Sequence, residues 1–283
     1  MEKVELEYDV PSSAMSDYVT LFYRFRAEVP FFEDTERADH AQLRFRLTPG
    51  KAEYTFANGN VLSAPPLHVI GPTSGPMQVR VDGPVRVFGM GLTPAGWAAL
   101  IGTDASSMLN RVVGARELLG DEIIAVARAL ATVRDIKSMV AIVEPLLLDL
   151  AQREKSHAEF VRLVDAWLAD SPSPDVEQLV AASGLSARQI ERKCKALYGV
   201  PPKFLARKYR ALRAAVALVA EGATPAEVVE RGFYDQSHLI REIKQFTGLT
   251  PGQMHDHPGL LAQLTMNQRT ALKAQVAPII SDT

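Results

Sequence analysis

The sequence predicts an α+β protein: a small antiparallel β-sheet or barrel followed by helices, then an all-α domain of seven helices with two helix-turn-helix units. Three observations predict it. Period-two alternation and tight-turn dipeptides fill roughly the first 90 residues. Helical periodicity replaces them after Thr93-Pro94. A segment near the C-terminus then recurs at an offset of 49 residues.

In the first part, Leu43-Arg44-Phe45-Arg46-Leu47 alternates apolar and polar, which predicts a half-buried strand. Asn58-Gly59 and Asp82-Gly83 each stand between two strand-like runs. Both dipeptides tolerate the positive φ of hairpin turns, so two hairpins are expected, the second less regular because Pro84 follows it. Helices are expected at 94–101, 116–133 and 136–153, the last kinked or restarted at Pro145. The polar run from Gln152 to Ser156 divides a sensor or dimerisation domain, 1–155 (strands about 1–92, helices about 93–153), from the helical domain, 157–257.

The helices of the second domain are expected at 157–169, 174–183, 186–198, 201–220, 225–231, 235–247 and 251–256. Ser186-Ala187-Arg188-Gln189, Thr224-Pro225-Ala226-Glu227 and Thr250-Pro251-Gly252-Gln253 fit the capping box, in which a hydroxyl and a Glu or Gln side chain satisfy each other's backbone N–H. Beyond them, Leu260, Leu261, Leu264, Leu272 and Val276 predict a weakly amphipathic helix in the tail 258–283, packed on the protein's own surface, with a disordered tail as the alternative.

The repeat carries the functional signal. Residues 187–202, ARQIERKCKALYGVPP, lie over 236–251, QSHLIREIKQFTGLTP. Ile190, Cys194, Leu197 and Val200 meet Leu239, Ile243, Phe246 and Leu249, one buried helix face. Arg192 meets Arg241 and Lys195 meets Lys244 on the other face, which a repeat maintained only for its core would not require. A short helix and a glycine-containing turn precede each copy, the helix-turn-helix layout, whose second helix enters the major groove of DNA. The helix expected between the copies would be roughly 30 Å long, close to the ~34 Å between successive major grooves on one face of a duplex.

Charge agrees. The chain has 31 basic and 33 acidic residues, yet 186–213 holds Arg188, Arg192, Lys193, Lys195, Lys203, Arg207, Lys208, Arg210 and Arg213 against Glu191 alone. Such a run is either a solvated helix face or a phosphate-binding surface. The candidate DNA-binding residues are Arg188, Gln189, Arg192, Lys193, Lys195 and Lys203 with the first copy, and Gln236, Ser237, His238, Arg241 and Lys244 with the second. Arg192 and Arg241 lead, because a guanidinium donates two bonds to guanine O6 and N7; phosphate contacts remain the alternative for each. Gln189 has a competing role in its capping box. By charge, phosphate attraction should concentrate on the first unit.

Residues 232–251, GFYDQSHLIREIKQFTGLTP, with 184–198, GLSARQIERKCKALY, resemble the DNA-binding domain of the AraC/XylS family of transcription regulators. The resemblance covers about 100 residues and rests on the Gly-Phe, Asp-Gln-Ser-His and Gly-x-Thr-Pro elements together. It implies seven helices, two helix-turn-helix units joined by a long helix, double-stranded promoter DNA as partner, and an activator working with RNA polymerase. Cys194 and Ile243 stand where the family usually has phenylalanine, and Val229 where alanine is usual.

Other classes fare worse. A DNA-repair or small-molecule-binding enzyme carrying a helix-turn-helix domain is the alternative. Alkyl-acceptor repair needs an accessible thiol, and Cys194, the one cysteine, lies on an apolar face. His40 and His68, the only histidines before 157, have no companion ligands for a metal. No cofactor motif is present, so the first domain is expected to be non-catalytic, with a small-molecule effector and a homodimer as its candidate partners. Trp97 and Trp167 read as core. No run of ~18 apolar residues spans a membrane, and Met1–Glu5 lacks a secretory pattern, so a cytoplasmic location is expected.

Overall fold

Two antiparallel sheets and thirteen α-helices build the chain, in a computed structural model that describes residues 4–152, 157–256, 259–281 and 283. The expected boundary run lies outside the described residues from Arg153 to Ser156, as do His257 and Pro258 at the expected end of the helical domain.

The strands are β1 (Val4–Asp9), β2 (Val19–Ala27), β3 (Phe31–Glu36), β4 (Ala41–Arg46), β5 (Ala52–Phe56), β6 (Val61–Ser63), β7 (Leu67–Ile70), β8 (Met77–Asp82), β9 (Val85–Leu92) and β10 (Val112–Gly114). One sheet runs β1-β2-β9-β4-β7-β10 and the other β3-β8-β5-β6. Asn58-Gly59 closes the β5–β6 hairpin, with Gly59 at φ +83°. The second expected hairpin does not form. β8 pairs with β3 and β5, whereas β9 pairs with β2 and β4, so Asp82-Gly83-Pro84 carries the chain from one sheet to the other. Pro84 offers no N–H to a ladder.

β4 is also not half-buried: all six residues are buried. Leu43 and Phe45 face a core built with Phe88, Trp97, Val143 and Leu147. Gln42, Arg44 and Arg46 point into the space between the sheets, where Arg44 meets Tyr54 of the opposite sheet. Alternation marks two different environments, and here neither is solvent.

The first helices are α1 (Pro94–Gly96), running into a π-turn over Trp97–Ile101, then α2 (Ala115–Leu119), α3 (Glu122–Leu130) and α4 (Ile136–Gln152). The single helix expected over 116–133 is two, because Gly120 at φ +77° leaves the helical region. α4 continues through Pro145.

The remaining helices are α5 (Ala158–Asp170), α6 (Val176–Ser183), α7 (Ala187–Tyr198), α8 (Pro202–Val219), α9 (Pro225–Val229), α10 (Gln236–Thr247), α11 (Pro251–Asp256), α12 (Leu260–Ala271) and α13 (Pro278–Ser281). Ser186–Gln189 and Thr224–Glu227 form capping boxes, and Thr250 with Gln253 makes the same reciprocal bonds. α9 stops two residues short of the expected end.

The two halves share cores. Leu21 and Ala95 join Trp167, Leu179, Ile190 and Cys194 in one cluster. Ala38 joins Ala211, Leu212 and Phe246 in another. Polar bonds reinforce the junction: the Ala38 N–H donates to the Phe246 carbonyl at 2.8 Å, and Lys208 Nζ donates to the Asp39 carbonyl at 3.0 Å.

Candidate nucleic-acid interface

Two helix pairs present the repeat. α6 turns at Gly184 into α7, and α9 turns through Gly232 into α10. Each second helix is amphipathic and buries the matched apolar set: Ile190 and Cys194 are inaccessible, as are Ile243 and Phe246. Each ends alike, Gly199 N–H donating to the Lys195 carbonyl and Gly248 N–H to that of Lys244. The C-terminal ends lie against the N-terminal half, with Gly199 packed near Ala105 and Gly248 near Pro76. The N-terminal turns stay exposed, which is the end that meets base edges in this motif.

Arg188, Gln189 and Arg192 are exposed on α7, Lys203 at the start of α8, and Gln236, Ser237, Arg241 and Lys244 on α10. Four of the predicted residues also have local contacts. Gln189 Oε1 accepts from Ser186 N–H at 2.9 Å. Lys193 is half-buried, with Nζ 4.7 Å from the Phe160 ring centroid. Lys195 pairs with Glu191 at 2.7 Å. His238 Nδ1 accepts from the Tyr234 N–H at 3.1 Å while its ring stands edge-on to Phe233. Asp235 caps α10 through the His238 N–H at 2.6 Å.

The basic run 186–213 is not a single DNA-facing surface. Arg207 donates to the buried Glu242 carboxylate from Nε at 3.1 Å and Nη2 at 2.7 Å. Arg210 approaches the same carboxylate at 3.8 Å. Arg213 donates to the carbonyls of Ala169 and Ser171. Lys208 is buried, and burial pushes its pKa down to about 8. Four of the nine cations therefore bind α8 to its surroundings. Because Glu242 is neutralised by arginines, α10 also presents more positive charge than its sequence suggests. The expected electrostatic dominance of the first unit shrinks to Arg188, Arg192 and Lys203 against Arg241 and Lys244.

Sequence reasoning missed three features. Glu242 sits on the inner side of α10 and clamps it to α8, a pairing 35 residues apart that no local pattern announces. Tyr234, just before the second recognition helix, is 91% exposed. The third is a cavity of about 800 Å³ between the sheets, counting the space at its mouth. Its apolar wall includes Leu6, Phe25, Phe32, Val79, Val81 and Val87, and its polar end includes Tyr23, Glu36, Gln42, Arg44 and Tyr54. Arg44 donates to Glu36 at 2.5 Å, to Gln42 at 2.7 Å and to the Tyr23 hydroxyl at 2.8 Å. Burial pushes Tyr23 and Tyr54 up, so both hydroxyls keep their protons.

Cys194 is buried and its thiol is pushed up to about 12 by that burial, the opposite of an activated acceptor thiol. Among the described residues no helix is long and apolar enough to cross a membrane.

Two exposed recognition helices on a shared scaffold define a helix-turn-helix DNA-binding protein. Residues 179–257 match the family described as helix-turn-helix domain, and 9–114 match a domain of unknown function, DUF6597. The helix-turn-helix match makes this chain a DNA-binding transcription regulator, and it falls on the part that resembles the AraC/XylS DNA-binding domain. No curated protein matches it in sequence. Among solved structures, apo ToxT from Vibrio cholerae (a lysine-to-alanine variant) is 8% identical with a TM-score of 0.48, covering 83% of this chain and 96% of that one. Wild-type ToxT from Vibrio cholerae with an unsaturated fatty acid bound is 9% identical, TM-score 0.44, covering 80% and 94%. The AraC-like transcriptional activator CuxR is 16% identical, TM-score 0.34, covering 81% and 86%.

Proposed function

We propose that this regulator binds a specific sequence in double-stranded promoter DNA by setting α7 and α10 into successive major grooves. One observation carries the reading: Arg192 and Arg241, matched across the repeat, both stand exposed, and neither has an ion pair or hydrogen bond among the described residues. α8, with 18 residues, is about 27 Å long and joins the two units rigidly. Arg192 and Arg241 then reach guanine edges or flanking phosphates, with Gln236 and Ser237 beside Arg241. Arg188, Lys203 and Lys244 supply phosphate contacts, which fix register without reading sequence.

The N-terminal half is the non-catalytic sensing part. Its cavity suits a mainly apolar small-molecule effector with one hydrogen-bonding end, the apolar body against Phe25, Phe32 and Val81 and the polar end against Tyr23, Gln42, Glu36 and Arg44. Contact with RNA polymerase, a homodimer and a cytoplasmic location complete the reading of an activator. The test is competition anisotropy of the full chain on fragments of its own genome. Selective capture of a few fragments against excess bulk DNA supports sequence-specific regulation, and equal competition by all of them ends it.

A further inference from the structure

The segment after α11 touches every part of the molecule that the proposed function uses. On one side of α12, Leu261 and Leu264 pack into the core between the sheets with Leu6, Phe25 and Phe32. Leu261, Ala262, Thr265 and Arg269 close the cavity wall. Polar bonds hold this roof down: Leu261 N–H donates to Asp34 Oδ2 at 2.8 Å, Arg269 pairs with Asp39 at 2.7 Å, and Gln268 donates to the Leu6 carbonyl. On the other side, Met266 is buried in the core of the second helix-turn-helix unit with Val216, Ile243 and Met254. Further on, Ile279 and Ile280 enter the core of the first unit beside Val164 and Leu168. Arg37, another cavity residue, donates to the Thr283 carbonyl at 3.0 Å.

Roof and cores differ in how firmly they are held. Eleven residues of α8 are buried, but in α12 only Met266 is. Local opening free energy follows buried apolar contact, so α12 opens well before α8 or the central strands. Cavity occupancy and the packing of α10–α11 therefore meet on one weakly held helix. An occupant larger than the closed cavity displaces Leu261 and Leu264 and, because Met266 sits on the same helix, moves the second unit's core with them.

We infer that α12 is a movable roof of the cavity and the element that transmits its occupancy to the second helix-turn-helix unit. This rests on reading the cavity as an effector site, and the test uses no DNA, so its failure is separable from failure of the DNA-binding reading. Amide exchange is measured on the full chain, wild type and Arg269→Gln, with Arg269→Lys as the variant that keeps a cation at Asp39. In wild type, 261–271 should exchange at least 100-fold faster than the buried amides of α8. Arg269→Gln should speed exchange at least tenfold across 261–271 and across 239–256 together, leaving β2 and β9 unchanged, and Arg269→Lys should stay nearer wild type. Uptake of the apolar dye anilinonaphthalene sulfonate should rise at least fivefold in Arg269→Gln and be abolished by adding Val81→Trp, which fills the cavity. Exchange of α12 no faster than that of α8 in wild type overturns the roof, and needs no variant. Faster α12 exchange with 239–256 unmoved overturns the transmission, and dye uptake indifferent to Val81→Trp overturns the link to this cavity.

Discussion

Glu242→Gln probes the clamp between the linker helix and the second recognition helix. Glu242 is 5% exposed, and its carboxylate accepts two bonds from Arg207, whose side chain is 42% exposed, with Arg210 at 3.8 Å. Hydrogen bonds to charged groups contribute about 1.5–3 kcal/mol, and the solvent at the half-exposed guanidinium screens part of that. A double-mutant cycle of Glu242→Gln with Arg207→Gln should therefore give a coupling energy of ~1–2 kcal/mol in urea unfolding. For a chain of this size Glu242→Gln should lower Tm by about 2–8 °C. The variant also frees two guanidiniums near the proposed interface. Affinity for random duplex should then fall more steeply with salt, by up to ~0.9 in slope for each added phosphate contact, while affinity for the preferred site drops as α10 loosens. A coupling energy below ~0.3 kcal/mol, the scatter of independent sites, would show that the clamp does not hold these helices.

Four further outcomes follow from the same geometry. Arg192→Ala and Arg241→Ala should each cost about 1–3 kcal/mol on the preferred duplex and less on random DNA if they read bases; equal losses on both would assign them to phosphates. Lys203→Gln should flatten the salt dependence of DNA affinity more than Lys195→Gln, because Lys195 is already paired with Glu191, and anisotropy over a salt series compares them. Burial raises Asp165 to about 7, against an opposing hydrogen bond from Tyr198. The folded state thus holds a proton that the unfolded chain releases near pH 4, so stability is lost as pH rises from there towards 7; Asp165→Asn should flatten that dependence in thermal melts and raise Tm at pH 8. Finally, Cys194 should react with a disulfide reagent only as fast as the chain opens, and rapid stoichiometric labelling of the native protein would contradict its buried placement.

What was legible in the sequence was local or repeated. Caps, the Asn58-Gly59 turn and the helix faces of the 49-residue repeat depend on neighbours within a few residues, so their physics is written in consecutive letters. Arg192, Arg241, Gln236 and Ser237 were picked out as candidates that way, and the structure leaves all four exposed. Charge counting was less informative, since a cation's sign says nothing about its partner. Arg207 and Arg210 count towards a phosphate-binding surface until the buried Glu242, from a helix whose partner position is 35 residues on, is seen to hold them.

The N-terminal half shows the same division. By itself the sequence determined that strands precede helices, where one hairpin turns, and that two helix-turn-helix units share a joining helix. Only the tertiary structure decided that β8 and β9 belong to different sheets, that Gln42 and Arg44 line a cavity rather than a solvated face, and that α12 covers that cavity while Met266 enters the second unit's core. The physical reason is that periodicity records that a chain has two faces, whereas what covers each face is set by elements far away in sequence.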